Sequence, residues 1–323
     1  MRNKSNTRKV ASKRNRYKIT NWSSYNQALK QRGSLEIWMD EGVKASWYYQ
    51  GKAQRGAQYQ YSDSCIELAC IVRELYRLAY RQTEGFLESL VSRLNWKVQV
   101  PDYTIINRRR KSLDIKIGGG GKEKKYIVMD STGVKVYGEG EWKVRQHGWS
   151  KHRTWMKIHL AVDEGTGLIE SCVTTTNSID DAAMVKPLLN EISGEVTILA
   201  ADGAYDKKKV YNELESRKIK AVIPPRKGAR IEKHGNRHGK EKMRDKNIRA
   251  IRKLGRKQWK KKTGYHRRSL AETTMYRFKN TFGDKLTSRV QIQQIIEVKI
   301  KCMVLNKMAK LGMPVTIKLK NAA

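Results

Sequence analysis

The strongest constraint on the fold is a change of period part-way along the chain. Up to about Leu113 the apolar residues recur at helical spacing. Beyond "GGGG" (118–121) they arrive in short runs of strand length. "KYIVMDSTG", "WMKIHLAVD" and "GLIESCVTTT" are three such runs, the last two split by the turn "EGTG". "DDAAMVKPLLNEI" reads as a helix capped by Asp180 or Asp181. "EVTILAADGAYD" is a strand, "KKKVYNELESRK" a helix and "KAVIPP" a strand. A densely basic stretch over 226–262 follows, then the helical "YHRRSLAETTMYRFK". Strands and helices in that order make a mixed α/β sheet with helices packed on it.

Three strands in a meander, followed by alternation, match a ribonuclease H-like order rather than a purely doubly wound one. The last helical stretch, "SRVQIQQIIEVKIKCMVLNKMAKLGMP", places Ile292, Ile295, Ile296, Val298, Met303 and Leu305 where they can close the core of this half. Asn306 within it reads as a structural hydrogen-bonder. The glycines at 118–121 precede an apolar strand and open no helix, so they read as a linker rather than a phosphate loop. The domain plan is therefore a basic arm over 1–34, a helical region over 35–117 and an α/β domain over 122–323 carrying the insertion 226–262.

In the first half, "DSCIELACIVRELYRLAY" sets Ile66, Ala69, Cys70, Leu75 and Leu78 on one face. "RQTEGFLESLVSRLN" does the same with Phe86, Leu87, Leu90, Val91 and Leu94. Pro101 stops the next element, and Asp102 is placed to cap a short helix. That helix turns Ile105, Ile106 and Leu113 inward and Arg108, Arg109, Arg110 and Lys111 outward. Helix, connection and basic short helix suggest a helix-turn-helix variant with its last helix towards DNA. A solvated basic helix end fits the same residues, and the connection is longer than a tight turn.

The formal net charge of +37 over 323 residues points to a polyanionic partner, with nucleic acid the default. No acidic residue precedes Glu36, so the first residues read as an arm that orders on a phosphate backbone. No apolar run is long enough for a transmembrane helix, and no signal-peptide core is visible. Cys65 and Cys70 sit in the apolar "CIELACIV" and read as small buried hydrophobes; neither a disulfide nor a structural zinc is expected from Cys65, Cys70, Cys172 and Cys302. His234 and His238 have helical spacing but no acidic or thiolate partner nearby, which argues against zinc. His147 and His152 read as structural or phosphate-facing. Trp259 among lysines either stacks on a base or anchors the basic stretch to the body.

Asp130 follows "YIVM" and Asp202 follows "ILAA", each at the end of an apolar strand. Strand ends of an α/β sheet are where ligands bind. On neighbouring strands two such carboxylates repel, and a hard divalent cation with oxygen ligands relieves them. Alternatively each merely caps a turn. On the helix from 265, Tyr265, Arg268, Glu272 and Lys279 fall in one stripe. Leu270, Met275 and Phe278 lie elsewhere on it and can dock on the sheet. Arg268 and Glu272 fit a surface ion pair; Glu272 also fits a third metal ligand, with Arg268, Lys279 and Tyr265 on the DNA backbone.

The spacing Tyr265, Arg268, Glu272, Lys279 resembles the signature of bacterial insertion-sequence transposases of the DDE type. "IVMDSTGVKVYGEGEWKVRQHG", "RTWMKIHLAVD", "DGAYD", "VIPPR" and "LNKMAKLGMP" are similar to one subgroup, the insertion-sequence-five type. The likeness begins at "NWSSYNQALKQRGSLEIWMD" and covers nearly the whole chain. It implies a ribonuclease H-like catalytic domain and an acidic triad of Asp130, Asp202 and Glu272. It also implies two Mg²⁺ or Mn²⁺ ions, about 3.5–4 Å apart in sites of this class. Cleavage at the ends of the element and attack of the freed 3′-hydroxyl on target DNA would follow. Double-stranded DNA, a homodimer on DNA and a bacterial cytoplasm are the implied setting. A non-catalytic DNA-binding regulator, a metal-dependent nuclease without strand transfer, and an RNA-binding protein are the alternatives.

Overall fold

β-Branched and aliphatic residues in strand-length runs build a five-stranded sheet. The computed structural model describes residues 17–35, 37–39, 41–52, 56, 59–118, 124–136, 155–232 and 241–319. The sheet contains β2 (Lys125–Lys135), β3 (Trp155–Asp163), β4 (Ile169–Thr176), β5 (Val196–Ala200) and β6 (Lys220–Val222), in the order β4-β3-β2-β5-β6. The β2–β3 and β3–β4 pairs are antiparallel; β2–β5 and β5–β6 are parallel. The ribonuclease H-like mixed sheet expected from the element order is present.

Alternation of side chains gives the sheet two apolar faces. Ile127, Met129 and Leu199 face one side, where Leu188 of α6 (Val185–Glu191) and Leu214 of α7 (Lys208–Ser216) cover them. Val134, Met156 and Ile158 face the other, packed with Phe278 of α10 (Ser269–Phe282) and Val298 of α11 (Gln291–Lys310). Full burial of one such side chain stabilises by about 1.5–3 kcal/mol. The expected helix at 180–192 starts as a 3₁₀ turn over Asp181–Met184. Neither expected cap acts as one: Asp180 is paired with Lys207 and Lys209, and Asp181 with Lys157.

The N-terminal helices α1 (Trp22–Gln31), α2 (Glu41–Ala45), α3 (Asp63–Tyr76), α4 (Tyr80–Arg93) and α5 (Tyr103–Arg110) follow the helical period of the sequence. Ser62 caps α3 by accepting from Cys65 N at 3.1 Å. Asp102 caps α5 as expected, accepting from Thr104 N and Ile105 N at 2.7 and 2.9 Å. Ile66, Leu87 and Ile106 of these helices belong to the same buried cluster as the sheet face under α10 and α11. The helical region and the sheet thus share one core. Residues read as part of a basic arm are also structured: β1 (Tyr17–Ile19) pairs antiparallel with β7 (Thr316–Lys318), and α1 follows. Residues 1–16 lie outside the described residues, as do His147, His152, His234 and His238.

Gly118, the first of the four glycines, does not behave as a free hinge. Its φ is +111°, and a Cβ there would stand 2.9 Å from the Glu170 carbonyl oxygen. Only glycine fits that approach. Gly119 to Gly121 lie outside the described residues. All four cysteines are buried, in keeping with the reading of Cys65 and Cys70 as small hydrophobes. Asn306 is the structural hydrogen-bonder expected of it: its amide donates to Ile169 O at 2.7 Å and accepts from Ile169 N at 2.8 Å. Among the described residues no helix is long and apolar enough to cross a membrane.

One buried titratable group in the sheet has a pH consequence. His159 of β3 is fully buried, with Nε2 2.8 Å from Thr175 Oγ1 and Nδ1 3.7 Å from Asp181. Burial, aided by Lys157 and opposed by Asp181, pushes its pKa from 6.5 down to about 4. Below pH 6.5 the unfolded chain takes up a proton that the folded chain refuses. This part of the stability is therefore complete above pH 6.5 and is lost as pH falls towards 4, a change on the order of 3 kcal/mol. Urea unfolding at pH 7 and 4.5 checks it: wild type is expected to lose more stability than His159→Asn, and equal losses would exclude His159 as the cause.

Candidate active site

The register of the sheet brings the two strand-borne acids together. The last parallel pair between β2 and β5 is Val128 with Ala200. Asp130 and Asp202 each lie two residues further on, so both side chains return to the same face. That is the face on which α10 packs. β2 does not end at Asp130 as the sequence suggested. It runs on to Lys135 because β3 pairs with it there, Asp130 standing opposite Leu160. β5 stops at Ala200, so beyond Val128 β2 keeps β3 as its strand partner.

Asp202 accepts from Ala204 N at 2.8 Å, capping a 3₁₀ turn over Gly203–Tyr205, so the turn-cap reading of this residue also holds. Asp130 accepts from Ser131 N at 2.9 Å. Burial raises the Asp130 pKa, and the neighbouring charges of Asp202 and Glu272 push it further; Arg268 and the Ser131 amide oppose them. The three acids therefore share one electrostatic neighbourhood.

Arg268 is the centre of that neighbourhood. Nη1 is 2.7 Å from Asp130 Oδ2, while Nη2 contacts Glu272 Oε1. The ion pair between Arg268 and Glu272 is formed, and the same guanidinium reaches across to the sheet. Among the described residues no three Asp, Glu, His or Cys side chains are drawn together as a metal clasp. Arg268 lies between two of the acids, Asp130 and Glu272, while Asp202 is held by its own turn.

The turn that opens α10 is 3₁₀ over Tyr265–Arg268, and α10 itself begins at Ser269. Tyr265 and Arg268 are thus set by this turn, not by one continuous α-helical stripe with Glu272 and Lys279. The turn is fixed at both ends. Tyr265 packs 6.0 Å from the Trp259 ring, and Arg267 pairs with Glu164 at 3.1 Å. Met275 and Phe278 are buried as expected, with Ala271 and Thr274, and Leu270 packs at the edge of the same core. Glu272 is left exposed in the first turn, where the helix dipole favours a carboxylate. Lys279 lies two helical turns beyond Glu272 and its charge acts on Asp284.

Trp259 is an anchor. It is buried against Ala200 and Val222, which fixes α8 (Met243–Leu254) and α9 (Arg256–Lys262) of the basic insertion beside β5. Residues 233–240 of that insertion lie outside the described residues. Sequence reasoning missed Asp206 and Tyr205 of "DGAYD". Asp206 accepts from Arg244 Nε at 2.8 Å and from Arg226 N at 3.0 Å, tying the insertion to the turn that carries Asp202. Tyr205 is buried with its hydroxyl unpaired among the described residues. The second acid of "DGAYD", four residues after the first, was the available signal.

The basic end of α5 requires correction. Arg108 is exposed, but Arg109 and Arg110 are buried. Ile106 lies three and four residues before them, so all three share the inward face. Arg109 pairs with Asp63 at 2.6 Å and donates to Tyr61 O at 2.8 Å. Arg110 reaches Glu74 at 3.1 Å and Tyr80 Oη at 3.0 Å. Two of the cations assigned to DNA are spent inside the protein, and the helix-turn-helix reading loses them.

Residues 121–307, more than half of the chain, match the family model described as a transposase DDE domain. The chain belongs to the transposase DDE domain family. It is a DNA transposase, an enzyme of phosphoryl transfer on DNA. A second transposase DDE domain model matches residues 30–139 of this transposase. Among solved structures it is distantly similar to the piggyBac transposase synaptic complex with hairpin DNA, with a TM-score of 0.37 and 11% identity over 86% of this chain and 75% of that one. The Drosophila P element transposase strand transfer complex gives a TM-score of 0.31 and 12% identity over 86% and 70%. The pre-cleavage Mos1 transpososome gives 0.21 and 10% over 84% and 85%.

Proposed function

We propose that this transposase is of the bacterial insertion-sequence-five type. In this reading Asp130, Asp202 and Glu272 form the catalytic acidic triad, which holds Mg²⁺ or Mn²⁺, two ions in the active state. The observation that carries the reading is the register: Asp130 and Asp202 stand equally far beyond the last β2–β5 pair, and Arg268 joins Asp130 to Glu272. The donor set fits the ions. All three side chains offer carboxylate oxygens, the preferred ligands of hard dications. Part of the charge they share is offset here by the Arg268 guanidinium, which a cation can replace.

Bound there, divalent ions would activate the attacking water or 3′-hydroxyl and stabilise the leaving oxygen. The protein's own part is to place and exchange charge. Arg268, released from Asp130 and Glu272, is positioned to take a phosphate oxygen of the DNA strand beside the acids. Tyr265, held between Trp259 and the Lys260 ammonium, supports that strand's backbone, and Lys279 and the exposed Arg108 contact phosphates further along. Two equivalent element ends call for two equivalent subunits, so a homodimer acts on DNA, in the bacterial cytoplasm at the nucleoid. The basic residues 1–34, the helical region 35–117 and the α/β domain over 122–323 divide these tasks between DNA holding and chemistry.

The test is a joining assay with purified protein, Mg²⁺, a labelled element-end duplex and a plasmid target. Joined product is expected. Cut ends without joining would replace the reading by a nuclease, and a shift without chemistry by a DNA-binding regulator.

A further inference from the structure

We propose that the cavity beside the Asp202 turn is a phosphate subsite for the DNA strand that reaches the acidic triad; this rests on the transposase reading above. The cavity, of about 280 Å³, lies between the segment 225–230 and helices α8 and α9. Its cations are Arg226, Arg230, Arg252 and Arg256, and Ile248 and Ile251 contribute apolar surface. No acidic side chain lines it.

Other cavities of the protein are built differently. One of about 610 Å³ interleaves Glu215 and Glu241 with Lys218, Lys220 and Lys246, so its charges compensate one another. One of about 450 Å³ holds Arg108 and Arg109, but Arg109 is already neutralised by Asp63. In the four-arginine cavity, Arg230 and Arg252 have no carboxylate partner for their side chains among the described residues. All four arginines are exposed, and no carboxylate in the cavity offsets their like charge. A phosphodiester offers what the cavity lacks, and guanidinium forks match its oxygens two at a time.

The cavity is also fixed relative to the triad. Arg226 donates from Nε to Gly203 O at 3.4 Å, and its backbone N–H donates to Asp206 at 3.0 Å. Gly203 is the residue after Asp202. Arg256 donates to Pro225 O at 2.7 Å, which ties the start of α9 to the same segment. Trp259 then anchors α9 against Ala200, two residues before Asp202. A phosphate held by these arginines is therefore placed in register with the acids, which a merely basic surface would not do.

The experiment is a DNA-binding titration by fluorescence anisotropy on an element-end duplex, repeated over a range of salt. Arg230→Gln with Arg252→Gln is compared with Lys253→Gln with Lys257→Gln, which removes the same charge from α8 and α9 outside the cavity. The arginine pair is expected to weaken binding about tenfold and to reduce the salt slope by about 1–2 phosphate equivalents. The lysine pair should cost less than about threefold on the same counterion-release argument. Circular dichroism checks that both fold. Equal losses in the two variants, or none in the arginine pair, would overturn the subsite. The transposase reading fails separately: a wild type that never joins DNA sinks that reading even where the arginine pair behaves as expected.

Discussion

Asp130→Asn is expected to lower strand cleavage and joining by ~10³-fold or more, equivalent to about 4 kcal/mol in the barrier, while duplex binding stays within a small factor of wild type. The substitution keeps the size of the side chain and removes one negative charge. Of the three proposed acids Asp130 is the one for which this matters most, because it is partly buried on β2 and feels both Asp202 and Glu272. Its Ser131 N–H contact can be kept by the amide oxygen, so the strand has no reason to shift. Gel-resolved joined product, with anisotropy on the same duplex, separates the two effects. Titration with Mn²⁺ in the absence of DNA gives an independent readout. Asp130→Asn should bind Mn²⁺ more weakly than wild type. Arg268→Gln should bind it more tightly, since the guanidinium that now bridges Asp130 and Glu272 is gone. Near-normal joining by Asp130→Asn would remove that carboxylate from the chemistry.

The parts of this molecule that were legible in the sequence are those set by local pattern. The strand runs, the Asp102 cap, the apolar face of α10 and the burial of Cys65 follow from period and composition, and all are present. Asp130 and Asp202 could be paired because each follows an apolar strand by the same logic, and the register bears out their shared face. What the sequence concealed depends on long-range partners. The extension of β2 past Asp130 is decided by β3, twenty and more residues away. Arg109 and Arg110 look like a basic helix end until the helix face is counted from Ile106 and their acids, the exposed Asp63 and the buried Glu74, are found opposite. The Arg268 bridge is half local, the contact to Glu272 being one helical turn away. Its other half, to Asp130, spans 138 residues. Asp206 and the four-arginine cavity were hidden for the same reason: a densely basic stretch does not reveal which of its cations converge.

The buried Arg110 belongs to a set of charges whose removal should be unequal. Glu74 accepts from Arg73 at 2.5 Å and from Arg110 at 3.1 Å, and lies 3.4 Å from Lys301. Glu297 accepts from Lys301 at 2.5 Å, lies 3.9 Å from Arg110, and takes the backbone N–H groups of Thr287 and Ser288 at 3.0 and 2.9 Å. Three cations thus face two carboxylates, all in the interior. Arg110→Met leaves two of each sign and a well-filled volume. Glu297→Gln leaves three cations against one carboxylate and weakens the anchorage of 287–288, the segment that follows the helix carrying Glu272. Glu297→Gln is therefore expected to cost about 3–5 kcal/mol, the range for breaking a buried pair, and Arg110→Met distinctly less. The lysine and the backbone amides overcome burial and hold the Glu297 pKa at about 2 instead of 4.5. A carboxylate depressed in this way stabilises fully above pH 4.5, and its contribution disappears as pH falls from there towards 2. Urea unfolding should accordingly show a loss between pH 4.5 and 3 that is smaller in Glu297→Gln than in wild type. An Arg110→Met variant less stable than Glu297→Gln at pH 7 would mean that packing, not charge balance, governs this interior.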